Sequence, residues 1–144
     1  MKKNLLIIIT SFFLSILIYE VTYAKNLYFE DGKKLFENKK YKKSKFYFEK
    51  DIVFNPKSEN SYLYLAKIFK TEEKDDLEEN NLDTVILLNP KNEEAIYLLA
   101  LLNIKKSNFT KTKELILILS SVCKKMCSKK SELQVKLNSS QKSQ

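Results

Sequence analysis

A period of 34 residues constrains this chain more than any other feature. Two Asn-Pro pairs, Asn55-Pro56 and Asn89-Pro90, stand 34 positions apart. A small residue lies 24 positions before each proline, Gly32 and Ala66, and a further step of 34 reaches Ala100. The same step joins Tyr28, Tyr62 and Ile96, then Asp31, Leu65 and Leu99, then Leu35, Phe69 and Asn103. It also joins Tyr41, Asp75 and Phe109, and Phe48, Leu82 and Ile116. A period of this length marks a stacked repeat, in which each unit buries its apolar face against its sequence neighbours. With one Gly and two Pro in 144 residues, an all-β chain with many turns is excluded. The reading is all-α.

The spacing and residue types resemble the tetratricopeptide repeat family. That family wants a large residue, then Leu and a small residue, then aromatics around a second small residue, and a closing Pro. The resemblance implies about three helix-turn-helix units, 25–58, 59–92 and 93–126, in a right-handed superhelical array. Residues 127–144 would follow as a polar, Lys-rich tail, partly disordered from Ser139 onward. The small residue lets the first helix of a unit approach the second closely. Proline cannot donate a helical hydrogen bond, so it closes the second helix. Three departures stand out. The second small position holds Ser44, Glu78 and Thr112. Asp51 stands where a small apolar residue is preferred. Lys124 replaces the closing proline of the third unit. Glu78 in particular predicts an irregular turn in the second unit.

The first 24 residues read as an address. Met1-Lys2-Lys3 is basic, Leu5 to Ile18 carries no charge, and Thr22-Tyr23-Ala24 sets small residues around a cut after Ala24. This is the three-part pattern of a secretory signal. The apolar run is shorter than the roughly 20 residues of a spanning helix. The alternative is a retained anchor reaching Tyr23. The expected location is exported, in a bacterial periplasm or secreted, or else membrane-anchored and facing the same side. The Asn108-Phe109-Thr110 and Asn138-Ser139-Ser140 glycosylation patterns are read as chance.

The chain holds no His, and its net charge is +8. A Ser-His-Asp triad and a His-ligated metal are therefore excluded, and one Gly cannot build a glycine-rich phosphate loop. No enzyme activity, metal or cofactor is expected. Eight lysines from Lys33 to Lys50 interleave with Tyr41, Phe46, Tyr47 and Phe48. A mix of this kind can bind single-stranded nucleic acid or another polyanion. The preferred reading is a solvated face with its aromatics turned to the core, and no nucleic-acid partner is expected. The acidic block from Glu72 to Asp83 lacks the spacing of a calcium loop and suits helix N-termini. Cys123 and Cys127 are the only cysteines; in an exported protein they form a disulfide or remain two packed thiols. Leu115 to Leu119 reads LILIL. Such a run on a last helix calls for cover, from the tail folding back as a capping helix, from a partner, or from self-association.

The resemblance further implies a concave groove lined by the first helix of each unit. The candidate lining is Phe29, Lys33 and Phe36, then Leu63, Lys67 and Lys70, then Tyr97, Leu101 and Ile104. Chaperone-binding members of the family clamp a C-terminal carboxylate with Lys and Asn. Phe29 and Lys33 occupy those first positions here, so that clamp does not carry over. The implied function is an adaptor or scaffold for a protein or peptide partner, with an apolar and acidic segment as the suited ligand.

Overall fold

A computed structural model of the chain describes residues 27–142. The expected leader and its cleavage site lie outside the described residues. The described residues fall into two compact units that divide after Pro56. Among the described residues every regular element is helical.

In the first unit, α1 runs over residues 27–37 and α2 over Tyr41–Phe54. Gly32 sits where α1 meets α2. A Cβ there would lie 2.8 Å from Cε1 of the fully buried Phe48, which is closer than such atoms pack, so the smallest residue sets the helix separation. The hydroxyl of Ser44, at the second small position, donates to the Gly32 carbonyl at 2.7 Å and satisfies itself inside the contact. Phe29 packs on Phe48 with ring centroids 5.9 Å apart. Asp51 is buried on the same helix.

The second unit holds α3 (Glu59–Thr71), α4 (Asp75–Leu88), α5 (Glu93–Lys105), α6 (Phe109–Val122) and α7 (Lys129–Lys142). One apolar core runs through all five helices. Leu63 and Ala66 meet Leu82 and Val85; Ile96, Leu99 and Ala100 meet Leu115, Ile116 and Leu119; Leu133 and Leu137 close the end. The side chains of Asn92 and Asn108 cap α5 and α6, accepting from the Ala95 and Lys111 amides at 3.0 and 3.3 Å. No helix among the described residues is long and apolar enough to cross a membrane.

Two expectations are corrected here, and a third is resolved. The second turn is regular. Lys39, Glu73 and Ser107 all have φ near +55°. The amides of Lys40, Lys74 and Asn108 each bond back to the carbonyl five residues earlier, at 2.8 to 3.0 Å. Glu78 fits because it extends into a cavity instead of wedging α3 from α4. The expected disorder from Ser139 is replaced by helix as far as residue 142, because Leu133 and Leu137 are fully buried against the last repeat. The LILIL run receives its cover from the tail, folded back as the capping helix α7. Leu115, Ile116 and Leu119 are covered within the chain, leaving Leu117 and Ile118 outside. A self-association surface on that run shrinks to those two side chains.

Candidate functional site

The periodicity places the inner face of the second unit on α3, α5 and α7. Leu63 is 5% exposed and belongs to the core; it lines no accessible groove. Lys67 is held in an ion pair with Glu94 of α5 at 2.7 Å, and its ammonium lies over the Tyr64 ring. Tyr97 is taken up by α7: its hydroxyl donates to Oε1 of Glu132 at 2.7 Å, and Lys129 stands over its ring. Burial and the Glu132 carboxylate hold this phenol above its ordinary pKa. Three of these candidates are thus occupied by the protein itself. Leu101 and Ile104 are half-buried, and Lys70 is exposed. Phe29, Lys33 and Phe36 lie on α1 of the first unit, each half-buried, with Phe36 against Tyr41 at 5.3 Å between centroids.

Lys70 and Leu101 come together at a cavity of about 200 Å³, shared with Glu73, Glu78, Leu102 and Lys105. Its walls are α3, the α3–α4 turn, the start of α4 and the end of α5. Glu78 is 3% exposed, and no described residue hydrogen-bonds its carboxylate. Burial raises its pKa above the usual carboxylate value; Lys70 opposes this, Asp75 adds to it, and Lys105 opposes it. Lys105 is engaged by Asp75 at 2.6 Å, a bond that raises its own pKa. The sequence singled out Glu78 as a misfit, and the cavity shows where the misfit leads.

Most of the acidic block is answered inside the chain. Lys106 reaches Glu79 at 2.6 Å and Asp76 at 3.3 Å, and Lys111 reaches Glu79 at 3.0 Å and Asp83 at 3.7 Å. The Lys106 hydrogen bond is the main cause of Glu79's lowered pKa. These pairs join α4 to the α5–α6 turn and α6. In sequence they lie 27 to 32 residues apart, off the 34-residue period, so a search in register misses them. In the first unit, Lys34, Lys39, Lys40, Lys42 and Lys43 are exposed, in line with a solvated face. Not all of its aromatics turn inward: Phe48 is fully buried, but Phe46 is 58% exposed.

The loop from α6 to α7 is tied at both ends. Cys123 and Cys127 form a disulfide, with Cα atoms 5.2 Å apart. Inside the loop, Glu93 accepts from the Lys124 amide at 2.8 Å, from Lys125 at 3.0 Å and from Met126 at 2.6 Å. The earlier junction is looser, with the side-chain amide of Asn89 donating from Nδ2 to Glu59 at 3.1 Å. Lys124 replaces a proline, and only a non-proline residue can offer that N–H. The Met126 amide is the first cause of Glu93's lowered pKa, followed by the amides of Lys124 and Lys125. A lowered folded pKa contributes stability above the unfolded value and loses it as pH falls through the folded one. Amide hydrogen exchange should show Lys125 and Met126 protected at neutral pH, with protection lost in acid below the ordinary carboxylate range. In Glu93→Gln the protection should be weak throughout and independent of pH; a pH-dependent profile in that variant would refute the assignment.

No protein-family model matches the chain, and no curated protein matches it. Solved structures do. The Arabidopsis OM64 TPR domain aligns with 83% of this chain and 98% of its own, at 13% identity and TM-score 0.74. The Yersinia enterocolitica type III secretion chaperone SycD, in complex with a peptide of the translocator YopD, aligns with 82% of this chain and 92% of its own, at 10% identity and TM-score 0.72. The first TPR of Spaghetti (RPAP3), bound to the HSP90 peptide SRMEEVD, aligns with 80% and 91%, at 15% identity and TM-score 0.71. Together with the helix order and the 34-residue register, these matches show that the chain has the tetratricopeptide-repeat fold.

Proposed function

We propose that the protein is an exported adaptor that holds a segment of a partner protein on the inner face of its repeats. The observation that carries this reading is the opening beside Leu101. Lys70, Leu101 and Ile104 remain reachable on α3 and α5, whereas the neighbouring Lys67 and Tyr97 are spent on internal contacts. Val135 of α7 extends the register of Leu101 by 34 residues and is 68% exposed. The face is therefore apolar along its middle, with charge at its edges, as peptide grooves are. The SycD and Spaghetti structures were solved with peptides, which supports a peptide ligand here. Export rests on the leader pattern, and sequencing the mature N-terminus tests it: Lys25 first means cleavage, Met1 means a retained anchor.

Binding is tested on an array of short random-sequence peptides. Wild-type protein should retain a subset. Leu101→Asp should weaken those spots by about tenfold, the loss of one well-buried anchor, while Leu117→Asp on the outer face should not. Equal retention by both variants would overturn the groove reading. Lys67→Glu is a poor probe, because it would set a second carboxylate beside Glu94.

A further inference from the structure

We propose that the cavity at Glu78 is a specificity pocket for one basic side chain, lysine or arginine, of the bound segment. The proposal rests on the groove reading and adds to it what the groove selects.

Size comes first. At about 200 Å³ the cavity is smaller than the roughly 300–1,000 Å³ of small-molecule and cofactor sites. It would hold about seven waters at about 30 Å³ each, comparable to one long side chain. Its lining then divides the occupant into two parts. Leu101 and Leu102 offer apolar wall, which suits an aliphatic stem. Glu78, a residue 3% exposed, offers a carboxylate with no hydrogen-bond donor among the described residues. Burial disfavours the ionised form of this carboxylate, and a donor carrying positive charge offsets that cost.

The charges around the pocket select the sign. Glu73 and Glu78 line the cavity with Lys70 of α3 and Lys105 of α5, and Asp75 stands near Glu78 outside the lining. The lining alone balances, two carboxylates to two ammonium groups, but one of those ammonium groups is engaged from outside the cavity. Lys105 is already bound to Asp75 at 2.6 Å, so its charge is answered. Lys70 stands exposed at the rim and can swing toward solvent as a guest enters. An acidic side chain would meet Glu78 and Glu73 directly. This modifies the expectation of an acidic and apolar ligand: the pocket beside Leu101 takes a base.

The test is a titration of isotope-labelled full-length protein followed by amide chemical shifts. The probe is N-acetyl-arginine amide, whose only charge is the guanidinium; N-acetyl-norleucine amide and N-acetyl-glutamate amide are the comparisons. The arginine probe should give saturable shifts at Glu73, Glu78, Leu101 and Leu102, and the other two should not. Glu78→Gln keeps the size of the side chain and removes its charge. It should weaken the arginine probe by about tenfold, the loss of one charged hydrogen bond. Lys70→Gln removes the rim cation and should tighten the same probe. The proposal fails if norleucine shifts these residues as strongly as arginine, if arginine gives no saturable shift, or if Glu78→Gln or Lys70→Gln leaves its affinity unchanged. Melting curves of both variants show whether they fold. A failed pocket with intact peptide retention on the array leaves the groove reading standing.

Discussion

Leu137→Ala should lower the melting temperature by about 10 °C. Leu137 is fully buried at the end of the core, and a buried Leu→Ala change costs about 3 kcal/mol. For a chain of this length that corresponds to about 3–4 °C per kcal/mol. The change should also strip exchange protection from α7, since Leu133 and Leu137 are its only buried side chains. Val135→Ala on the same helix removes a side chain that is 68% exposed and should leave the melt almost unchanged. A repeat array needs a terminal element with one polar face, and α7 supplies it. If Leu137→Ala melts like wild type, α7 is not docked and Leu115, Ile116 and Leu119 need another cover.

Glu78→Ala should raise stability by about 1 kcal/mol at neutral pH, because burial disfavours the ionised carboxylate, with a small gain from the helix preference of alanine. The sign of the pH dependence follows from the raised folded pKa. A carboxyl with a raised folded pKa is favourable when protonated, so wild-type stability falls as pH rises from the unfolded value through the folded one. Lys70 and Lys105 limit that fall, and Asp75 adds to it. The advantage of Glu78→Ala should therefore shrink at acid pH, and melting curves from acid to neutral pH will show it. A residue kept at a cost to stability is what a binding pocket would require. If Glu78→Ala is destabilising at every pH, Glu78 serves the fold and the pocket argument weakens with it.

The fold was legible because repeats write the same constraint several times. Gly32, Ala66 and Ala100 mark one contact, and the structure places Gly32 against Phe48. The period also reaches further than the prolines suggest. A step of 34 from Leu99 lands on Leu133, and one from Asn103 lands on Leu137; these are the two buried residues of α7. The polar run around them hid the signal, because a capping helix needs only one apolar stripe. The site was less legible. Lys67 and Tyr97 were placed on the correct helices, but the sequence does not show that Glu94 and Glu132 engage them. Leu63 was placed in the groove because carried-over positions say nothing about how far a helix turns toward the core. Glu78 was visible as a departure from pattern, but its cavity follows from the separation of α3 and α5, which spacing alone does not give. The Glu93 bonds to the α6–α7 loop had a faint trace in the missing proline at position 124.

Site-specific photo-cross-linking in cells that make the protein tests the central claim most directly. A photoreactive phenylalanine analogue is placed in turn at position 101 on the inner face and at position 117 on the outer face. A discrete protein adduct is expected from position 101, reduced in the Glu78→Gln background, and none from position 117. Adducts from position 117 with none from position 101 would contradict it.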